Sequence, residues 1–122
     1  MKTILVIDDE KPTLSMFRLL LKALGYEVLI ASTGHEGISL FDRYRPDVVI
    51  TDIKMPGMDG FEVIKAVKAL SSRTPVIIVT GHGDLSQAEK ASHMDTVGFL
   101  NKPLQRESLE EALIKAFASV DS

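Results

Sequence analysis

The sequence predicts an α/β fold: a doubly wound parallel sheet of five strands with helices on both faces. Two observations predict it. Short apolar runs alternate with segments whose apolar residues recur every three or four positions, so five strands alternate with five helices. Each predicted strand is apolar along its length, which is typical of strands buried on both faces of a parallel sheet. We therefore expect one domain spanning residues 1–122.

The first half of the chain contains two strand–helix pairs. The strand ending at Ile7 precedes a helix with Pro12 in its first turn and Gly25 after its end, both typical of helix boundaries. The strand at 28–31 precedes a second helix, in which Gly37 indicates a close approach to the sheet. The residues expected to face the core are Leu14, Phe17, Leu20, Leu21 and Leu24 in the first helix and Ile38, Leu40 and Phe41 in the second.

The central strand, 48–52, ends in Asp52 and leads through a turn at 56–60 into a third helix. The fourth strand, 76–79, leads through Thr80 into a fourth helix that Asp84 can cap. That helix has few large apolar residues, so we expect it to be the least firmly held. A fifth strand around 96–100 and a last helix follow. The residues expected to be buried are Phe61, Ile64 and Val67 in the third helix, Leu85, Ala88, Ala91 and Met94 in the fourth, and Leu109, Leu113, Phe117 and Val120 in the last.

Composition excludes several classes of function. The chain has 122 residues, 45% of them hydrophobic, and no Cys, which excludes disulfides, zinc–thiolate sites and cysteine nucleophiles. Its first apolar run is too short for a signal peptide or a membrane span. The net charge of −3, with both signs interspersed, gives no basic surface for nucleic acid. We expect a cytoplasmic protein that binds neither membranes nor nucleic acid directly.

Polar residues follow the predicted strands at the points where chemistry is expected. Asp8 and Asp9 follow the first strand, Asp52 closes the third, Thr80 follows the fourth and Lys102 follows the fifth. The carboxyl ends of parallel strands meet at one edge of the sheet, where ligands bind in such folds. We therefore expect these side chains to converge on one shallow pocket.

Carboxylates brought together in this way need a cation. A pair about 4 Å apart costs roughly 4 kcal/mol at an effective dielectric constant near 20. Oxygen ligands without His or Cys suit a hard ion, and an open acidic site suits Mg²⁺. Lys102 adds a positive charge and Thr80 a hydroxyl for phosphoryl oxygens. With these groups, Asp52 can attack phosphorus and carry an acyl phosphate.

The chain resembles a bacterial two-component response-regulator receiver domain of the CheY-like superfamily, over essentially its full length. The resemblance implies a flavodoxin-like fold with strand order 2-1-3-4-5. It also implies a phosphoacceptor that assists its own phosphorylation and is not otherwise an enzyme. The residues that carry the resemblance are Asp8-Asp9, Asp52 with Met55-Pro56-Gly57-Met58-Asp59-Gly60, Thr80-Gly81, and Phe99-Leu100-Asn101-Lys102-Pro103.

By the same resemblance, Asp52 receives its phosphoryl group from the phosphohistidine of a histidine kinase or a histidine phosphotransfer protein. Asp9, Asp52 and the backbone carbonyl of Lys54 bind Mg²⁺ directly, and Asp8 acts largely through water. Thr80 and Lys102 contact the phosphoryl oxygens, and the Lys102–Pro103 peptide bond is cis.

The resemblance also implies a switch, in which phosphorylation changes the surface of the fourth helix, the fifth strand and the fifth helix. Its switch residues are Thr80 and Phe99. The chain departs from many receivers at 94–96, and at Gly98 it lacks an acidic pair associated with one kind of dimer. The sequence specifies neither the kinase nor the downstream target.

Three other functions share some of these features. A phosphatase of the haloacid dehalogenase type needs an Asp-x-Asp motif and a cap, whereas this chain has adjacent Asp8 and Asp9 and no room for a cap. A flavodoxin needs a Ser/Thr/Gly-rich phosphate loop where these acids stand. The remaining alternative is a receiver-like interaction module that phosphorylation no longer controls.

Overall fold

Five parallel strands form one sheet in this computed structural model, which describes residues 2–81 and 96–121. The strands are β1 (Thr3–Ile7), β2 (Glu27–Ala31), β3 (Val48–Asp52), β4 (Val76–Thr80) and β5 (Gly98–Asn101). They lie in the order β2-β1-β3-β4-β5, and every neighbouring pair is parallel. The predicted flavodoxin-like order is therefore confirmed.

The described part of the chain contains four helices: α1 (Lys11–Ala23), α2 (Gly34–Tyr44), α3 (Gly60–Leu70) and the C-terminal helix (Arg106–Asp121). Local signals set their starts. The side chains of Thr33 and Asp59 accept hydrogen bonds from backbone N–H groups in the first turns of α2 and α3, at 3.1 and 2.9 Å. None of the described helices is long and apolar enough to cross a membrane. The predicted fourth helix, with Asp84, Leu85, Ala88, Ala91 and Met94, lies outside the described residues.

Both faces of the sheet are covered, as a doubly wound fold requires. Alternate residues of β1 and β3 point to opposite faces and join two separate hydrophobic clusters. One cluster lies under α1 and the C-terminal helix, and the other lies under α2 and α3. The central strand β3 is buried along all five residues, so its last residue, Asp52, is held in a fixed position.

The predicted helix faces are largely confirmed. Leu14, Phe17, Leu21, Phe61, Ile64, Val67, Leu109 and Leu113 are buried, as is Phe41. Leu20, Leu24, Ile38, Leu40 and Phe117 are only partly buried and pack against the edges of the two clusters. Val120 has no described side chain.

The limits of the fifth strand differ from the prediction of 96–100. β5 begins at Gly98 and continues to Asn101, because the ladder pairs Ile77 with Gly98 and Thr80 with Asn101. The apolar run ends at Leu100, whereas backbone pairing extends the strand to the polar Asn101.

Gly60 lets the end of β3 pack directly on the start of α3. A Cβ atom at Gly60 would lie 2.3 Å from the backbone oxygen of Asp52 and 2.7 Å from the Cα of Ile53. The Gly60 N–H also donates to the Ile53 carbonyl at 2.8 Å. Gly37 confirms the predicted close approach to the sheet, since its Cβ would lie 2.3 Å from the Cδ1 of Ile7.

We predict that Gly60→Ala destabilises the fold by about 1–3 kcal/mol, because the new methyl meets backbone that cannot turn away. Urea unfolding measures the loss. Gly98→Ala is the matched control: its Cβ would lie 3.6 Å from the Cβ of Ala112, an ordinary contact, so its effect should stay within about 0.5 kcal/mol. Equal stability of the two variants would contradict this packing.

Candidate functional site

The carboxyl ends of β1 and β3 bring two buried carboxylates to one edge of the sheet. Asp8 directly follows β1, and its backbone N–H donates to the Ala31 carbonyl of β2 at 3.1 Å. Asp52 is the last residue of β3. Their side chains are only 1% and 6% exposed. Neither carboxylate is well solvated, so each depends on the groups around it.

Lys102 lies between these carboxylates. Its Nζ is 3.1 Å from Asp52 Oδ2 and 3.2 Å from Asp8 Oδ2, and it also contacts the carboxylate of Glu10. The Lys102 backbone N–H donates to the Thr80 carbonyl at 2.9 Å, which fixes the residue beside the end of β4. The predicted cis Lys102–Pro103 bond is present. Glu10 was not predicted as a partner of the lysine, although it directly follows the Asp8-Asp9 pair.

Four carboxylates form an acidic group that can hold a metal ion. Asp8, Asp9, Glu10 and Asp52 each offer an oxygen, and these oxygens all lie within 4.8 Å of one another. Asp9 and Glu10 are exposed, whereas Asp8 and Asp52 are buried. The acidic group therefore opens to solvent on one side, as a site that binds a hydrated hard ion must.

One buried oxygen of this group has no hydrogen bond. Asp8 Oδ1 accepts from the Glu10 backbone N–H at 2.9 Å and from Lys102 Nζ at 3.4 Å. Asp8 Oδ2 is close to the same ammonium, at 3.2 Å, but it has no aligned donor. A buried carboxylate oxygen without a donor favours a cation or a cation-bound water at this position. The residues present therefore fit a divalent metal.

Burial sets the direction of the pKa shift at the two buried carboxylates. It raises the pKa of Asp8 to about 6, against the lowering effect of the Glu10 N–H. Burial also raises the pKa of Asp52, while the hydrogen bond from Lys102 opposes that rise. Burial alone would lower the pKa of Lys102, but its hydrogen bonds to Glu10 and Asp52 outweigh burial and hold the pKa above its ordinary value. Lys102 is therefore a permanent cation here.

Thr80 lies at the same edge, but its hydroxyl is turned toward β5. The residue is 3% exposed, and its Oγ1 donates to Asn101 Oδ1 at 2.9 Å. The carbonyl of Leu100 lies farther away, at 3.5 Å. The role of Asn101 was not predicted, although it ends the strand that neighbours Thr80.

Two further predicted residues are Phe99, on β5, and Lys54, in the loop after β3. Phe99 is 41% exposed on β5 and points away from the buried Leu100. Lys54 is exposed in the loop between β3 and α3, and the metal-binding role of its carbonyl stays a prediction. Met55 is buried and Met58 is partly buried against the cluster under α2 and α3, so both side chains pack the turn that follows β3.

Comparison with known proteins identifies one family. The model of the response regulator receiver domain matches residues 4–114. The positive alginate biosynthesis regulatory protein of Pseudomonas aeruginosa is 39% identical over 116 residues, 93% of this chain and 46% of that protein. The transcriptional regulatory protein GlrR of Escherichia coli is 34% identical over 110 residues, 90% of this chain. This chain spans only 25% of the length of GlrR.

A shorter relative and two solved structures match over nearly their whole length. The sporulation initiation phosphotransferase F of Bacillus subtilis is 29% identical over 92% of this chain and 90% of its own. A receiver domain protein from Clostridium thermocellum has a TM-score of 0.88 at 37% identity, covering 99% of this chain and 95% of that one. The chemotaxis protein CheY4 of Vibrio cholerae has a TM-score of 0.87 at 32% identity, covering 95% and 98%.

We predict that Asp8→Asn stabilises the protein in metal-free buffer at neutral pH. The folded protein holds the Asp8 proton up to a pKa of about 6, against an ordinary value of 3.8. Stability is therefore lost as pH rises from about 4 to about 6, and the amide avoids that loss. The difference in the free energy of unfolding between the variant and wild type should be near zero below pH 4. It should grow to at most about 3 kcal/mol above pH 6, at 1.36 kcal/mol per pKa unit.

Urea unfolding across this pH range, with a chelator present, measures the difference. The control is Asp42→Asn, because Asp42 is an exposed carboxylate paired with Arg45 on the surface. That variant should differ from wild type by tenths of a kcal/mol. An Asp8→Asn advantage that does not change with pH would show that burial of the charge is not its cause.

Proposed function

The chain belongs to the response regulator receiver domains, the phosphoacceptors of two-component systems, and on that premise we propose that Asp52 is its phosphoacceptor. One observation carries the proposal: the Asp52 carboxylate closes the buried central strand with a permanent cation, Lys102 Nζ, 3.1 Å from its Oδ2. Asp52 is thus held in place and kept available as an anion, despite the burial that raises its pKa.

The proposed reaction is a direct transfer from phosphohistidine. An Asp52 oxygen attacks phosphorus, the phosphorus–nitrogen bond breaks, and the imidazole leaves with the bonding electrons and takes up a proton. Lys102 neutralises charge on the phosphoryl oxygens as this happens. Lys102 contacts the carboxylates of Asp8, Glu10 and Asp52, and of these only the Glu10 carboxylate is exposed. Lys102 can therefore leave Glu10 at the lowest cost, because water can solvate the freed carboxylate.

The acidic group supports a magnesium requirement. Asp9, Asp52 and the Lys54 carbonyl would hold the ion, with Asp8 acting largely through water. When bound, Mg²⁺ supplies positive charge to the carboxylates and to the phosphoryl oxygens. Asp8 Oδ2 has no hydrogen-bond donor, and such an ion or its water would supply a partner for this oxygen.

The partners form part of the proposal. A histidine kinase or a histidine phosphotransfer protein would donate the phosphoryl group, and the chain would act as an acceptor that assists its own phosphorylation and dephosphorylation. Relatives such as GlrR are named transcriptional regulatory proteins and extend well beyond the matched region. An output partner for this chain, a single receiver domain over 1–122 and a cytoplasmic location stay proposals.

We further propose that Thr80 and Phe99 transmit phosphorylation to the surface. An aspartyl phosphate adds negative charge and acceptor oxygens at Asp52, and the Thr80 hydroxyl is a neutral donor at the neighbouring strand end. If Thr80 moves toward the phosphate, Phe99 can turn inward from its exposed position. The predicted fourth helix, β5 and the C-terminal helix would carry the altered surface.

We predict one phosphorylation site. Intact mass after incubation with acetyl phosphate and Mg²⁺ should show a single added phosphoryl group, absent without the metal and absent in Asp52→Asn. Asp59→Asn is the control, because Asp59 caps α3 close by and Asn caps helices as well. Phosphoryl transfer to the Asp52→Asn protein would sink the assignment.

We also predict that Thr80→Ala uncouples phosphorylation from the surface change. Amide chemical shifts measured with and without the phosphate mimic beryllofluoride show how far the structural change extends. In wild type, perturbations should extend from the Asp52 pocket to residues 84–100, because the hydroxyl is the link between them; in the variant they should stay near Asp52. Perturbations confined to the pocket in wild type would contradict the proposed route.

A further inference from the structure

We propose that Asn101 is a latch: its amide oxygen holds the Thr80 hydroxyl in the unphosphorylated protein and competes with the phosphoryl group for the hydroxyl proton. The inference rests on the proposed function, since it takes Thr80 as the donor that the phosphoryl group recruits. Asn101 would thereby set how readily the domain switches. It would act through Thr80, as a positioning residue, and would not touch the phosphoryl group.

The strand register builds this contact. Thr80 and Asn101 are the last residues of β4 and β5 and are paired directly across the parallel ladder. The 2.9 Å hydrogen bond joins the Thr80 hydroxyl to the Asn101 amide oxygen. Thr80 is 3% exposed, so bulk water competes poorly for its hydroxyl. The alternative acceptor, the Leu100 carbonyl, is at 3.5 Å, the outer limit of a hydrogen bond.

A threonine hydroxyl has one proton to donate. The oxygens of an ionised aspartyl phosphate accept hydrogen bonds, as does Asn101 Oδ1, so Thr80 cannot satisfy both with full strength. The charged phosphoryl oxygens are the stronger acceptors and should win the proton. When the Thr80 hydroxyl turns to the phosphoryl group, its hydrogen bond to Asn101 is lost. At the usual net strength of such a bond, this loss lowers the equilibrium constant for the switch by about two- to tenfold.

Release of the latch also reaches Phe99. Phe99 and Asn101 are two residues apart on β5, so their side chains lie on the same face of the strand, whereas Leu100 between them is buried. When Thr80 leaves, the Asn101 amide loses its buried partner and is free to turn on the face that Phe99 occupies. The switch residue and the latch therefore share one exposed surface of β5.

The first test concerns the hydrogen bond alone, in magnesium-containing buffer without any phosphate mimic. Three-bond couplings to the Thr80 methyl carbon report its χ1 rotamer. Wild type and Asn101→Asp, which keeps the acceptor oxygen, should show one rotamer. Asn101→Leu, of similar shape but without an acceptor, should show averaged couplings. Gln105→Leu, which changes an exposed amide nearby, is the control and should match wild type. A single unchanged rotamer in Asn101→Leu would overturn the latch.

The second test measures competition through beryllofluoride affinity, from a titration of amide shifts. Asn101→Leu should bind about two- to tenfold more tightly than wild type. In a Thr80→Val background, Asn101→Leu should leave the beryllofluoride affinity unchanged, because there is no hydroxyl for Asn101 to bind. Asn101→Ala repeats the comparison with a smaller side chain, in case the leucine disturbs β5. No tightening, or equal tightening in both backgrounds, would overturn the proposal.

The two tests separate this inference from the proposed function. If wild-type protein binds no beryllofluoride at Asp52, the proposed function is contradicted, and so is the competition between Asn101 and the phosphoryl group for the Thr80 hydroxyl. The Thr80 rotamers would still show whether the hydrogen bond to Asn101 exists. Normal binding with a rotamer that ignores Asn101 contradicts the latch alone.

Discussion

One ammonium group holds the candidate site together. Lys102 Nζ lies 3.1–3.2 Å from the carboxylates of Asp52 and Asp8, which are 50 and 94 positions away in the sequence. At that separation two unit charges interact by about 5 kcal/mol at an effective dielectric constant near 20. The repulsion between buried carboxylates is of the same order, so the edge of the sheet depends on a cation. The site that we propose for a metal ion and a phosphoryl group therefore has its charges already arranged around Lys102.

The parallel sheet makes this arrangement possible. Asp8 follows β1, and Asp52 and Thr80 are the last residues of β3 and β4. Because these buried strands run in the same direction, all three residues lie at one edge of the sheet although they are far apart in the sequence. The packing of Gly60 on the backbone of Asp52 fixes the central carboxylate from behind. The scaffold lies on one side of the site and solvent on the other. We propose that the side chains of Lys102, Thr80 and Phe99 are the parts of the site that respond to phosphorylation.

Much of this was predictable from the sequence, because the signals were periodic or positional. The buried strands, the faces of the helices and the convergence of Asp8, Asp52 and Lys102 all follow from apolar patterns and from where each strand ends. What was missed depends on register and on short-range geometry. Asn101 meets Thr80 only because β4 and β5 pair at those residues, and Glu10 reaches Lys102 only across the folded edge. Ala112 and Ala116, both buried in the C-terminal helix, carry too weak a hydropathy signal to be read as core.

We propose that Lys102 exchanges the exposed carboxylate of Glu10 for the phosphoryl group when Asp52 is phosphorylated. A crystal structure of the protein with Mg²⁺ and beryllofluoride tests it most directly. Beryllium should be bonded to an Asp52 carboxylate oxygen. Lys102 Nζ should lie within hydrogen-bonding distance of a fluoride and should no longer contact Glu10. Beryllofluoride bonded elsewhere, or a Lys102 that stays on Glu10 while Asp52 is occupied, would contradict it.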